Sequence, residues 1–217
     1  MGSRGRRSPE GGLSRARILG AALGLMDGGG SPGLTMRRLA AELGVDPMAV
    51  YHYYGSKRSI ILALVDAVFE AFPAPDAAAP WQQQVRAWAR AYRVLARAHP
   101  LLVLAVISDP EAVGLAALHA SESLVDTLTS SAGLEPGDVA GAVALLADYV
   151  NGYALPLAWT GEGVATDPIS TALAGQPQER FPAQRRLIAA LDGAAPDAFE
   201  LGLDVIVAGL EARSRRA

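Results

Sequence analysis

Three helix starts crowd into the stretch from Thr35 to Ser56, and no other feature limits the fold as tightly. Thr35, Asp46 and Ser56 are residue types whose side chains accept hydrogen bonds from the unpaired N–H groups of a helix N-terminus. Pro47 follows Asp46, and proline is preorganised for the first helical position. Gly44 and Gly55 stand where helices must stop, and glycine tolerates the left-handed backbone that closes one. This punctuation predicts a short helix from Thr35 through Leu43, a tight turn Gly44-Val45-Asp46, and a second short helix from Pro47 to Gly55. That is the layout of a helix-turn-helix.

The side chains fit the layout. Leu39, Ala40 and Leu43 give the first helix an apolar face, and Val45 and Val50 form the small plug that lets the second pack steeply across it. The second helix is left to offer Pro47, Met48, Ala49, Tyr51, His52 and Tyr53, several of them too polar or aromatic for so small a core. A helix of this width enters the major groove of DNA with its N-terminal residues at base edges. Thr35 and Lys57 each sit at a helix start, where free N–H groups favour an anion, so both are candidates for phosphate. Lys57 is the only lysine among 19 basic residues.

Charge supports this reading only once it is resolved along the chain. The total is −3, but residues 1–60 hold nine basic and four acidic residues, a net +5, and the remainder carries −8. A basic first quarter on an acidic body suits a small polyanion-binding module attached to a larger partner. Arg4, Arg6 and Arg7, in a flexible basic arm of residues 1–13, read either as a solvated tail or as an extension to DNA phosphates or the minor groove.

The rest of the chain also reads as helix, so the predicted class is all-α. Ser14 caps a helix to about Asp27, and Ser56 caps one from Lys57 to about Phe72. The proline- and alanine-rich run 73–80 is a linker. Helices follow at about 81–98, 101–107, 110–132, 136–159, 183–192 and 196–214, with a loop from Thr160 to Pro182. The expected domains are a three-helix DNA-binding head at 14–60 with its linker helix to about 72, and a helical effector-binding and dimerisation body at 81–217. With no cysteine there is no disulfide or thiol nucleophile, and no Gly-rich phosphate loop or Ser-His-Asp cluster points to an enzyme. No apolar run is long enough to span a bilayer, no signal-type segment is visible, and the expected compartment is the cytoplasm.

One head reads too few base pairs for useful specificity, so the body should form a homodimer. The apolar helices 136–159 and 196–214 are the candidates, through Ala142, Leu145, Leu146, Tyr149, Leu203, Ile206, Val207 and Leu210. An effector cavity would draw on the polar and aromatic residues of the body: Trp88, Tyr92, His99, Ser108, His119, Ser121, Asn151, Tyr153 and Trp159.

Leu34-Thr35, Arg38-Leu39-Ala40, Leu43-Gly44-Val45, Tyr51, Tyr53, Ser56-Lys57-Arg58 and Leu62 together resemble the DNA-binding domain of the TetR family of transcriptional regulators. Phe199–Glu211, Trp81-Gln82 and the Gly141–Gly152 region are similar to the tetracycline-repressor type of ligand-binding body. The resemblance implies a ligand-responsive repressor that binds a palindromic double-stranded DNA operator as a homodimer and is released by a small-molecule inducer. It implies base-edge roles for Arg37, Pro47, Met48, Ala49 and His52, and phosphate roles for Thr35, Tyr51, Tyr53 and Lys57. Trp88 and Tyr92 match pocket positions, and His99 matches a helix-end histidine that couples pocket to linker helix. Where that repressor type holds a magnesium ion through a histidine, this chain has Ala105 or Val106, and Pro156 stands near its acidic position. Neither supplies a magnesium ligand, so the expectation is no metal, no cofactor and a larger apolar or aromatic effector. The alternative reading is a helical protein–protein interaction module that binds no DNA.

Overall fold

The computed structural model describes residues 12–28, 34–160, 168–191 and 197–215, all helix, turn or irregular chain with no strand among them. Residues 1–11 of the expected arm lie outside that set. The helices are α1 (Arg15–Asp27), α2 (Met36–Leu43), α3 (Pro47–Tyr53), α4 (Lys57–Glu70), α5 (Trp81–Ala98), α6 (Pro100–Ile107), α7 (Pro110–Asp126), α8 (Pro136–Thr160), α9 (Pro168–Ala174), α10 (Pro182–Leu191) and α11 (Ala198–Ser214). No single described helix is long and apolar enough to cross a membrane.

The chain divides into two compact units. The first holds residues 1–73 and 91–122. Its core is built from Ile18, Ala22 and Met26 of α1, Leu39 and Leu43 of α2, Val50 of α3, and Ile60, Leu64 and Val65 of α4, all buried. Helix α6 packs against α1 and α4. Its sequence, PLLVLAVI, is apolar all round, which suits a helix with neighbours on several sides. The compact unit therefore extends past the head expected from sequence and takes in α6 and most of α7. Four ion pairs fasten them, two of them through histidines that are charged only when protonated. Arg58 at the start of α4 donates Nε to Asp109 Oδ2 at 2.6 Å and Nη2 to Oδ1 at 2.9 Å, and pairs with Glu111 at 2.6 Å. His99 meets Asp27 at 2.9 Å, and His119 meets Asp66 at 2.9 Å.

The second unit holds residues 74–90 and 123–217. Val85, Trp88, Leu128, Leu134, Leu146, Val150, Phe199, Leu203 and Val207 are buried in it. Along α5, Gln82, Arg86 and Arg90 reach Glu211, Asp204 and Glu200 on α11, so polar rungs border the apolar packing. Arg90 is bidentate on Glu200 at 2.9 and 2.7 Å, which holds the Glu200 carboxyl below its usual range.

Two stretches differ from the sequence expectation. The helix expected over 110–132 changes to a π-helical turn at Thr127–Ser131. The buried Thr127 hydroxyl has two acceptors, Gln84 Oε1 at 2.8 Å and the Ser123 carbonyl one turn back at 2.9 Å. Such back-bonding competes with the α ladder. Gly133, at φ +64°, then closes the helix. The expected loop 160–182 contains helix α9. Pro168 and Pro182 sit at first helical positions and start helices instead of breaking them. From α10, Arg185 donates back to the carbonyls of Leu173, Gln176 and Pro177 at 3.0, 3.0 and 3.1 Å, which ties the turn between α9 and α10.

Candidate functional site

Every N-cap expected in the head is formed, whereas α3 closes on Tyr54 and not on a left-handed Gly55. The Thr35 hydroxyl accepts from Arg38 N–H at 3.1 Å and Asp46 Oδ1 from Met48 N–H at 2.8 Å. Gly44 takes φ +68°, a left-handed conformation, while its own N–H and that of Val45 donate back to Ala41 and Ala40. Ser56 and Ser59 bond reciprocally at 3.1 and 3.2 Å, a capping box that starts α4 beside Lys57. Val50 is fully buried and anchors α3, and Tyr54 closes the base of the motif.

This anchoring decides which residues of α3 face outward. Met48 is 61% exposed and Tyr51 43%; Pro47 and His52 are exposed and Ala49 is half-buried. Thr35, Arg37 and Lys57 are exposed at the starts of α2 and α4. The outward set pairs a mostly apolar surface at the N-terminal end of α3 with cations and hydroxyls on flanking helix ends. Such a surface suits thymine methyl groups, groove shape and phosphate. Tyr53 is placed differently from the rest. It is half-buried, and its hydroxyl donates to the Leu13 carbonyl at 2.6 Å, so its proton is committed inside the protein.

The expected effector residues fall in both units. In the first, Tyr92 is buried, with Phe69 and Phe72 edge-on at ring-centroid distances of 6.2 and 6.4 Å. His99 and His119 are held by the carboxylates of Asp27 and Asp66, to which they donate. The exposed Ser108 donates to its own helix at Leu104, and with Met26, Leu34, Lys57, Ile61, Leu101, Leu104 and Ala105 it lines a cavity of about 200 Å³. Ser121 is half-buried. In the second unit Trp88 is buried, and Asn151 and Tyr153 are half-buried. Trp159 lies on α8, but its side chain is outside the described residues. Both histidines thus hydrogen-bond to carboxylates within the first unit.

The expected dimer residues divide sharply. Ala142 and Leu146 of α8 and Leu203, Val207 and Leu210 of α11 are buried within one chain, so they belong to its own core and not to a surface. Ile206 and Tyr149 are half-buried. The Tyr149 hydroxyl lies 3.0 and 2.9 Å from the carbonyls of Ala198 and Phe199, and its ring stacks on Phe199 at 5.4 Å. Leu145 is 51% exposed. Two further exposed apolar residues, Leu201 at 56% and Val205 at 66%, were not among the expected set. Their signal was present as a second apolar stripe on α11, two residues out of phase with Leu203 and Val207. The Arg58–Asp109–Glu111 clamp was missed too, because no spacing rule links partners 51 and 53 residues apart.

Comparison with known proteins matches the chain to two family models. Residues 18–64 match the family model described as bacterial regulatory proteins, tetR family, and residues 72–214 match tetracyclin repressor-like, C-terminal domain. The chain is 30% identical to the HTH-type transcriptional repressor DrrR1 of Streptomyces coeruleorubidus, over 97% of its own length and 82% of the relative's. It is 31% identical to the tetracycline repressor protein class A from transposon 1721 of Escherichia coli, over 90% and 89%. Among solved structures it is similar to ActR of Streptomyces coelicolor in complex with actinorhodin. That match has 29% identity, coverage of 94% and 99%, and a TM-score of 0.72.

Proposed function

The chain belongs to the TetR family of bacterial transcriptional regulators, and on that premise we propose that it is a repressor which binds a palindromic operator as a homodimer and leaves it when a small molecule binds the body. The observation that carries the reading is the outward face of α3. A helix anchored by Val50 presents Pro47, Met48, Ala49, Tyr51 and His52 beside Arg37, Thr35 and Lys57. Arg37 is the candidate for a guanine, while Pro47, Met48 and Ala49 read methyl groups and shape. Lys57, Thr35 and Tyr51 contact phosphate. Tyr53 is left out of the contact set, since its hydroxyl supports Leu13.

The dimer forms through the stripe that one chain leaves uncovered: Gly141, Leu145 and Gly152 of α8 with Leu201 and Val205 of α11. Two such helices from each copy make a four-helix seam. The effector is apolar or aromatic and is bound without metal. Ala105 and Val106 supply no oxygen or imidazole ligand, and His99 and His119 are already paired with carboxylates. The likeness to ActR with actinorhodin supports a small-molecule effector. Effector and operator favour different head spacings, so each weakens binding of the other.

The test starts from a duplex selected by the full-length protein from a random pool. The expected result is a palindromic site bound with a steep negative salt dependence by a dimer in sedimentation. Actinorhodin, as a first probe, should release it, whereas a tetracycline–magnesium mixture at micromolar concentration should not. Failure to enrich any duplex would favour a helical interaction module. Release by tetracycline–magnesium would overturn the metal-free pocket.

A further inference from the structure

In the first unit, helix α6 has one face that its neighbours do not fully cover. Its sequence is apolar all round, and Leu102, Val103 and Val106 are buried. Leu101, Leu104, Ala105 and Ser108, spaced as a single helix face, line the cavity of about 200 Å³ instead, and the first three of them are only half-buried. Met26 of α1 and Leu34, both buried, and the half-buried Ile61 of α4 complete its apolar wall. Protein interiors fill their space, and apolar side chains that border a void forfeit contacts on that side. This wall is therefore a surface that an apolar group of the right size would cover.

Lys57 and Ser108 line the same cavity and are exposed, which places them at its mouth. The Ser108 hydroxyl spends its proton on the Leu104 carbonyl at 2.8 Å, so the charge of Lys57 is what selects a ligand. The neighbouring Arg58 is engaged by Asp109 and Glu111, whereas no acid among the described residues pairs with Lys57. An ammonium at the edge of an apolar wall favours an anion with an apolar body. Size narrows the class. A cavity of about 150 Å³ lined by aliphatic and aromatic side chains takes benzene, and drug-sized ligands occupy about 300 Å³ or more. We infer that this cavity is a second effector site, for a small monocarboxylate with a single aromatic ring, which lays the ring against α6 and its carboxylate on Lys57. The consequence for DNA rests on the operator-binding reading above, in which the same ammonium contacts a phosphate. Ligand and operator then compete for one cation, and each weakens the other.

The probes are benzoate and the neutral benzyl alcohol, added at millimolar concentration to the full-length protein with labelled Ile, Leu and Met methyl groups. In NMR, the benzoate ring protons should give intermolecular NOEs to the methyl groups of Met26, Leu34, Ile61 and Leu104. Benzyl alcohol should bind the unaltered protein about ten-fold or more weakly than benzoate, because it lacks the charge that pairs with the ammonium. In Lys57→Met the two probes should bind alike. Relative to an equal concentration of sodium chloride, saturating benzoate should lower the operator affinity of the unaltered protein about five-fold or more and make its log–log salt slope shallower by about 1, one phosphate contact being withdrawn. Lys57→Met, weaker on the operator from the outset, should not respond to benzoate. Absence of the NOEs would overturn the site and leave the regulator reading intact. Equal binding of the two probes to the unaltered protein would overturn the carboxylate assignment. NOEs with an unchanged operator affinity would overturn the competition for Lys57. If the protein bound no operator, the regulator reading would fall, and the NOEs would still decide the cavity.

Discussion

The turn between α2 and α3 and the pairing of α8 with α11 are both helix–helix contacts, yet they are specified by different means. The turn is set by backbone chemistry at single positions: a capping hydroxyl at Thr35, a left-handed glycine at Gly44, a capping carboxylate at Asp46. Each removes alternatives by itself, so the outward face of α3 follows once Val50 is anchored. The pairing of α8 with α11 rests mostly on side-chain packing, bordered by the Tyr149 hydroxyl on the Ala198 and Phe199 carbonyls and by Arg213 on Asp138, and α11 carries two apolar stripes of similar composition. Leu203, Val207 and Leu210 face inward, and Leu201 and Val205 face out. Local chemistry thus fixes which residues of the head face outward, while in the body only the packed chain separates core from surface.

The sharpest way to break this comparison is to truncate the two stripes. Leu146→Ala and Leu203→Ala remove fully buried side chains and should each cost about 2–5 kcal/mol in urea unfolding. Leu145→Ala and Val205→Ala should cost less than about 0.5 kcal/mol within one chain, and should weaken the dimer in sedimentation instead. If the exposed pair destabilised the fold as much as the buried pair, the assignment of stripes would be reversed.

The next effect probes a place where the body needs a glycine for space. A methyl group at Gly202 would fall 2.2 Å from the Tyr149 hydroxyl oxygen and 2.7 Å from Cζ. That hydroxyl is held by the carbonyls of Ala198 and Phe199, so the ring is not free to swing aside. Gly202→Ala should therefore destabilise by about 1–3 kcal/mol, and Tyr149→Phe in the same chain should return part of the loss. In the head the comparable glycine has open space around it. A Cβ at Gly44 meets nothing within 4 Å, so Gly44→Ala carries only backbone strain, about 1–2 kcal/mol. Gly44→Asn should cost less, since asparagine tolerates that conformation. Thr35→Ala, which deletes one cap, should cost about 1 kcal/mol. Thermal melts of the five variants would show whether clash or strain dominates at each position.

These contrasts also explain what was legible beforehand. The caps at Ser14, Thr35, Asp46 and Ser56 could be read because capping is local, and each is formed. The segment around Pro168 and Pro182 was misjudged because proline both breaks a helix from inside and starts one from its first position. Which role applies depends on partners such as Arg185 that no local pattern reveals. For His99 and His119 the sequence shows polar groups on apolar helices but not what they bond to. Their carboxylate partners lie 72 and 53 residues away in sequence. The family resemblance gives Tyr53 a phosphate role alongside Tyr51, and the folded head shows its hydroxyl donating to the Leu13 carbonyl.

The smallest effect tests a contact that depends on neither local chemistry nor volume, the clamp between Arg58 and the turn before α7. The Arg58 guanidinium bonds Asp109 in bidentate fashion and holds its carboxyl down at about 2, against about 3.9 for an ordinary aspartate. The N–H groups of Glu111 and Ala112 add to the effect. Because the folded value lies below the unfolded one, the clamp favours the folded chain fully above about pH 4, and the contribution fades as pH falls through about 2. The contact is exposed and so contributes little to stability at neutral pH; its signature is the titration itself. In Arg58→Met, Asp109 should titrate closer to the ordinary value, still held somewhat lower by the two backbone donors. Carbon-detected NMR of the side-chain carboxyl measures this directly. An unchanged midpoint would assign the depression to the N-terminus of α7 and remove Arg58 as its cause.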